Sequence, residues 1–158
     1  ETLRAFDELY EEDKTRAVGL SNFTPALLED ALDRLDAPVI AHQVECHPLL
    51  PQTQLRDLAR AHGHALVAYS PLGQAELFDH PVIESVAAEC DLTPAQVCLA
   101  WLHSKEPVVP IPKSTGREHL EENLAALDRT LPREAQDRLD AIEERRRLLD
   151  PDQAARNQ

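Results

Sequence analysis

The chain has little positive charge, since its 158 residues contain 16 Lys and Arg against 29 Asp and Glu, a net charge of −13. This balance argues against nucleic acid as a partner, because nucleic-acid binding needs a basic surface. Two explanations of the acidity stay open. One is adaptation to high salt, which screens self-repulsion, and the other is an ordinary acidic cytoplasmic protein.

Cysteine is scarce and methionine is absent. Cys46, Cys90 and Cys98 show no Cys-x-x-Cys spacing and cannot all pair, a pattern typical of reduced thiols in the cytoplasm. No apolar run approaches the ~20 residues that span a bilayer and no secretion-signal pattern occurs, so we expect no membrane partner. Because the sequence opens at Glu1 inside a helical pattern, we expect a chain joined in the middle of a fold.

Several common site patterns are also missing. There is no Gly-x-Gly-x-x-Gly, so a Rossmann dinucleotide site is not indicated. Neither a Ser/His/Asp order nor a buried acid–base pair is apparent. His42, Cys46 and His47 are close in sequence, but successive strand residues point to opposite faces. Cys46 and His47 therefore cannot share one metal ion, and we expect no metal site.

What is present predicts one α/β domain. The 42% hydrophobic content is that of a globular chain, and four short apolar runs alternate with helical patterns. Such alternation predicts a parallel sheet with helices on both faces. The runs occupy residues 16–23, 39–48, 65–70 and 108–112.

Three threonines predict helix starts. Thr24 is a good N-cap before a proline, and Thr93 with Gln96 has capping-box spacing. Thr115 with Glu118 has the same spacing, so a helix should begin there.

Two expectations concern burial. Leu120, Leu124 and Leu127 recur at helical spacing and should face the core. His62 and His64 flank a glycine expected at a helix C-terminus, and we expect both to be exposed.

Polar residues follow each apolar run, which indicates a ligand site where the carboxyl ends of parallel strands meet. Each residue also has a simpler interpretation, such as holding a turn, lying at the rim, or forming hydrogen bonds within the protein. The polar residues are Ser21, Asn22, Gln43, Tyr69, Ser70, Lys113 and Ser114.

The last of these strand ends predicts an anion site. A cation and two hydroxyl groups follow the apolar run, and a helix should begin directly afterwards. Unpaired amides at a helix N-terminus suit phosphate, and Lys113 and Arg117 would add full charges. The alternative is that both cations belong to the solvated surface.

Four motifs in this order resemble the aldo-keto reductases. They are Gly-Leu-Ser-Asn-Phe at 19–23, Gln-Val-Glu-Cys-His-Pro at 43–48, Tyr-Ser-Pro-Leu-Gly at 69–73 and Ile-Pro-Lys-Ser at 111–114. The resemblance implies a (β/α)8 TIM barrel of which this chain is the C-terminal half. Residues 1–158 would form the last four β/α units with the C-terminal helix and tail.

The family implies NAD(P)H-dependent reduction of aldehydes and ketones to alcohols, with NADP(H) as cofactor and NAD(H) as the alternative. By resemblance, Ser21, Asn22 and Gln43 would bind the nicotinamide carboxamide and Tyr69 would stack on its ring. The remaining contacts would be Ser70 and Leu72 to the pyrophosphate, Lys113 and Ser114 to the adenosine 2′-phosphate, and Glu122 and Asn123 to adenine.

The chain departs from the family in two ways. His119 stands where many members have arginine, which leaves the preference for NADPH open, although Arg117 offers a replacement charge. The family's catalytic Asp, Tyr, Lys and His belong to the half of the barrel that does not match this chain. We therefore expect the chain alone to be inactive and to need the N-terminal half or a second copy as partner. The alternatives are a non-catalytic nucleotide-binding module and a self-assembling half-barrel.

Overall fold

The computed structural model describes residues 1–149, and the predicted polar tail lies outside them. In this part of the chain, four strands alternate with helices, as the sequence predicts. The elements are α1 (Thr2–Glu11), β1 (Val18–Ser21), α2 (Pro25–Arg34), β2 (Val39–Glu45), α3 (Thr53–His62), β3 (Ala65–Tyr69), α4 (Pro81–Cys90), α5 (Pro94–His103), β4 (Val108–Pro110), α6 (Arg117–Ala125) and α7 (Arg133–Asp140), with short 3-10 turns at Gly73–Ala75 and Ala126–Asp128.

The four strands form one parallel sheet in the order β1-β2-β3-β4. Leu20 pairs with His42, and Leu66 pairs with both His42 and Val108 across the sheet. All strands therefore end at the same edge, which confirms the predicted α/β class with a parallel sheet.

The helices cover one face of this sheet, so the prediction of two covered faces is wrong. Burial alternates along β1 and β3, with Leu20, Leu66 and Ala68 buried and their neighbours half-buried or exposed. The buried strand residues share one core with helix residues such as Leu28 of α2 and Trp101 of α5. The other face is open because no described helix packs on it, and we call it the open face.

Two of the predicted helix caps are confirmed and one is wrong. The Thr24 hydroxyl accepts the N–H of Leu27, and Thr93 forms a complete capping box with Gln96. By contrast, α6 starts one residue later than Thr115 predicts, with Gly116 as an N-cap that provides no side-chain hydrogen bond. Capping-box spacing alone did not identify the cap at this turn.

The two burial expectations also need correction. Leu120, Leu124 and Leu127 are 49%, 66% and 56% exposed, because α6 turns a different side, including Asn123, toward the protein. His64 is buried, since the left-handed Gly63 (φ 73°) that ends α3 leads the chain directly into β3.

Each described helix is ten residues or shorter. Within residues 1–149, no helix is long and apolar enough to cross a membrane.

Candidate functional site

The first part of the candidate site lies where β1 and β2 end on the open face. Ser21 is the register partner of Gln43, and the Ser21 hydroxyl donates to the Gln43 carbonyl oxygen at 3.0 Å. This contact uses the main-chain carbonyl oxygen of Gln43, so the side-chain amide of Gln43 takes no part in it. Ser21 and Gln43 thus lie side by side at the ends of neighbouring strands.

Asn22 and Tyr69 extend this group across three strands. Asn22 has a left-handed backbone (φ 57°), a conformation that asparagine tolerates, and its N–H donates to the Gln43 carbonyl oxygen at 2.9 Å. The Tyr69 hydroxyl donates to Asn22 Oδ1 at 3.0 Å, which fixes the half-buried ring. Burial, followed by the charge of Glu45, raises the pKa of the Tyr69 phenol, so this tyrosine holds its proton.

The second part of the site is a cavity of about 610 Å³ between the ends of β3 and β4. Nine of its sixteen lining residues come from the loop after β3 and the start of α5, and seven come from the β4–α6 segment. Seven of the twelve predicted site residues line it: Ser70, Leu72, Lys113, Ser114, His119, Glu122 and Asn123.

The loop after β3 has a shape that only glycine permits at one position. Gly73 has a left-handed backbone (φ 53°), and a Cβ atom there would overlap the side chain of the fully buried Leu77. Ser70 also has positive φ (46°), so the chain turns sharply on leaving the sheet. These turns place Ser70 and Leu72 against the cavity.

The β4–α6 side supplies the charge of the cavity. Lys113 is exposed, and the Ser114 hydroxyl lies 3.4 Å from the Gly116 carbonyl oxygen just before α6 begins. On the first turns of α6, His119 Nδ1 lies 3.2 Å from Glu122 Oε2, and Asn123 is buried beside them. A cation and a hydroxyl group therefore line the cavity just before α6 begins, and an anion with phosphate chemistry fits this set.

Arg117 does not line the cavity with Lys113 and Ser114. Its Nε atom pairs with Glu121 at 2.8 Å, and its side chain is 91% exposed. Arg117 is outside the cavity lining, so the expected addition of its charge to Lys113 is not seen.

Sequence reasoning missed the apolar wall of the cavity. Phe78, Pro94 and Ala95 line it together with Gln74. The only local signal was the Thr-Pro start of α5, which we interpreted as a helix cap and not as part of a site.

Sequence reasoning also missed a buried acid–base pair formed by Glu45 and His47. Glu45 Oε1 lies 3.0 Å from His47 Nε2, and both side chains are fully buried. The expectation that no such pair exists is wrong, because residues two apart along an extended chain point to the same side. The pKa of His47 is lowered, with burial as the largest cause, although the hydrogen bond and the charge of Glu45 raise it. Among residues 1–149, no group of three or more side chains is arranged to hold a metal ion.

Comparison with known proteins matches residues 1–144 to the model of the aldo/keto reductase family. Glyoxal reductase of Bacillus subtilis is 38% identical over 148 residues, which are 94% of this chain and 53% of that protein. The 9,11-endoperoxide prostaglandin H2 reductase of Trypanosoma cruzi is 36% identical over 156 residues, covering 96% of this chain and 55% of that protein.

Solved structures agree with these relatives. Aldose reductase from Giardia lamblia superposes with a TM-score of 0.86 at 28% identity, covering 95% of this chain and 52% of that one. A thermostable aldo-keto reductase in complex with the inhibitor epalrestat gives a TM-score of 0.82 at 36% identity, covering 89% and 53%. The chain therefore spans about half the length of the relatives it matches. By its match over residues 1–144, the chain belongs to the aldo/keto reductase family.

Proposed function

We propose that this chain supplies the cofactor-binding half of an NAD(P)H-dependent oxidoreductase that reduces aldehydes or ketones to alcohols, and that it forms the C-terminal half of a (β/α)8 barrel. Two observations support the half-barrel. The chain covers about half of each matched relative, and helices cover one face of the sheet while the other stays open, as a barrel wall requires.

The observation that carries the proposal is the cavity between β3 and β4. Lys113 and Ser114 lie on its rim beside the N-terminus of α6, in a chain whose net charge of −13 would otherwise repel a phosphate. In this proposal Lys113 and Ser114 hold the adenosine 2′-phosphate, Glu122 and Asn123 contact adenine, and Ser70 and Leu72 hold the pyrophosphate.

The nicotinamide end would lie on the open face. Asn22 Oδ1 is engaged by Tyr69, which leaves the amide nitrogen of Asn22 to donate to a carboxamide oxygen. Ser21 and Gln43 stand beside it in register. Tyr69, with its ring held by Asn22, would present one face for stacking.

When bound, the cofactor would supply the hydride that reduces the carbonyl carbon. The residues of this chain would bind and orient the cofactor, whereas the proton for the carbonyl oxygen would come from the family's Asp, Tyr, Lys and His on the partner half. Tyr69 is not that donor, because its hydroxyl proton is already given to Asn22. We expect the 158-residue chain alone to show no NADPH-dependent turnover of an aldehyde.

Calorimetric titration of the chain with NADPH and with NADH tests the proposal. Lys113→Ala should weaken NADPH at least about tenfold, since a hydrogen bond to a charged group contributes ~1.5–3 kcal/mol, and should leave NADH nearly unchanged. Lys14→Ala is the matched control, because Lys14 is exposed, pairs with Glu12 just after α1 and does not line the cavity. A folded chain that binds neither nucleotide, or equal losses for both, contradicts the proposal.

A second candidate function, assembly with another half-barrel, is favoured by the apolar surface that stays uncovered. Leu120, Leu124 and Leu127 form an exposed stripe along α6 and the following turn, and Val109 and Ile111 are 48% and 43% exposed at the β4 edge. Sedimentation velocity across a concentration series tests it. A chain that remains monomeric at every concentration rules out self-assembly, and Leu124→Glu should weaken any association that occurs.

A further inference from the structure

The carboxyl end of β2 carries a buried carboxylate that the proposed cofactor contacts do not use. Glu45 is fully buried, and its Oε1 atom accepts the N–H of Leu148 at 2.7 Å in addition to its contact with His47. Oε2 accepts the N–H of Leu149 at 2.9 Å. Both oxygens are thus committed to donors, two of which come from a segment more than a hundred residues further along the chain.

That segment, residues 143–149, is here called the strap. It has a second attachment, because the N–H of Arg146 donates to the Leu49 carbonyl oxygen at 3.0 Å. One attachment is at the last residue of β2 and the other lies four residues after it, so the strap runs over the carboxyl end of this strand. It reaches the same edge of the sheet as the candidate site.

Leu148 and Leu149 of the strap lie beside the proposed nicotinamide position. Glu45 is the register partner of Tyr69, so the carboxylate that holds the strap lies next to the ring proposed to stack on the cofactor. Electrostatics agree with this placement. Burial is the main cause of the raised pKa of Tyr69, and among smaller effects the charge of Glu45 raises it and that of Arg147, a strap residue, lowers it.

We propose that Glu45 is a positioning residue: by holding the strap against the end of β2, it builds the wall of the site beside Tyr69 and so supports binding of the nicotinamide end of the cofactor. This inference rests on the proposed function. Glu45 does not touch the cofactor itself, because its side chain is fully enclosed by protein. It acts through the backbone of Leu148 and Leu149.

The chemistry of the contact explains why a carboxylate is needed. A carboxylate offers acceptors on both oxygens, and here both face backbone N–H groups. In Glu45→Gln one oxygen is replaced by an NH₂ group, so a donor would face either Leu148 or Leu149. The amide therefore cannot satisfy both strap contacts, although its shape is almost the same.

The test compares two ligands that share the phosphate end of the site. NADPH contains the nicotinamide, whereas 2′-phospho-ADP-ribose lacks it. In Glu45→Gln we expect NADPH to bind about tenfold more weakly and the nicotinamide-free ligand to change less than about twofold, since only the wall beside Tyr69 is disturbed. Glu29→Gln is the matched control, because Glu29 is an exposed glutamate on α2. Hydrogen exchange should also quicken in residues 143–149 of Glu45→Gln.

A second variant avoids any change in the sheet. Leu149→Pro removes the N–H that bonds Glu45 Oε2, while Leu149→Ala keeps it. The proline variant should reproduce the selective loss of NADPH affinity, and the alanine variant should not. Equal losses for both ligands, or no loss for NADPH, would overturn the inference while the proposed function stands. A folded wild-type chain that binds neither ligand would overturn both.

Discussion

Acid should destabilise this protein through one buried histidine. His42 of β2 is fully buried, and its Nε2 atom accepts the N–H of Phe23 at 3.1 Å. Protonation of Nε2 would direct its new hydrogen atom at the Phe23 N–H and break this hydrogen bond. It would also put a positive charge in the core beside His64. Burial, with a smaller effect of His64, lowers the pKa of His42 from 6.5 to about 4.

The size of the effect follows from this pKa difference. Above pH 6.5 the imidazole is neutral in both the folded and the unfolded chain, so its contribution to stability is fully present. As pH falls below 6.5, His42 binds a proton in the unfolded chain, whereas in the folded chain it stays neutral until about pH 4. The free energy of unfolding should therefore fall by about 2.5 kcal/mol between pH 7.5 and pH 4.5 from His42 alone.

Urea unfolding of the wild type and of His42→Gln at pH 7.5 and pH 4.5 measures this loss. Glutamine can still accept from Phe23 but does not titrate, so the variant should lose about 2.5 kcal/mol less than the wild type over the same interval. His62→Gln is the matched control, because it removes an exposed imidazole from the end of α3 and leaves the contact between His42 and Phe23 in place. If His42→Gln and the wild type lose equal stability, the reasoning about His42 is refuted.

Two further predictions concern caps and thiols. In a urea titration, Thr93→Ala should lower the free energy of unfolding by about 1 kcal/mol because it removes a complete capping box. Thr115→Ala should lower it much less, since Gly116 is the N-cap of α6. Equal losses would contradict the assignment of the caps. Burial raises the pKa of Cys46 and Cys98 to about 12. Iodoacetamide at pH 8 should therefore modify the half-buried Cys90 first in the native protein and all three cysteines only after denaturation. Mass spectrometry of the peptides would show this order, and early modification of Cys98 would contradict its burial.

Local patterns were enough to predict the elements of this fold. The Thr24 and Thr93 caps and the glycine at the end of α3 depend on neighbours within a few residues, and the structure confirms them. The alternation of strands and helices likewise gave the parallel sheet, because parallel strands need such crossovers.

The features that failed depend on distant parts of the chain. Leu120 and Leu124 have helical spacing but are exposed, since which side of α6 is covered depends on what else packs there. The contacts of Glu45 with Leu148 and Leu149 join residues separated by 103 and 104 positions, and no local pattern encodes them. Arg117 is a different kind of failure, because its ion pair with Glu121 spans only one turn of α6 and has an i,i+4 spacing that the sequence contains.

The open face links the two proposed properties of the chain. At the strand ends it carries Ser21, Gln43 and Tyr69, while it leaves Val109 of β4 and Ile111 just after β4 exposed. A partner that covers the apolar part of this face would also order the polar part beside it. Binding of the partner and binding of the cofactor would then stabilise the same conformation, so each should raise the affinity for the other. NADPH affinity measured with and without the partner half therefore tests the cofactor site and the half-barrel as one hypothesis.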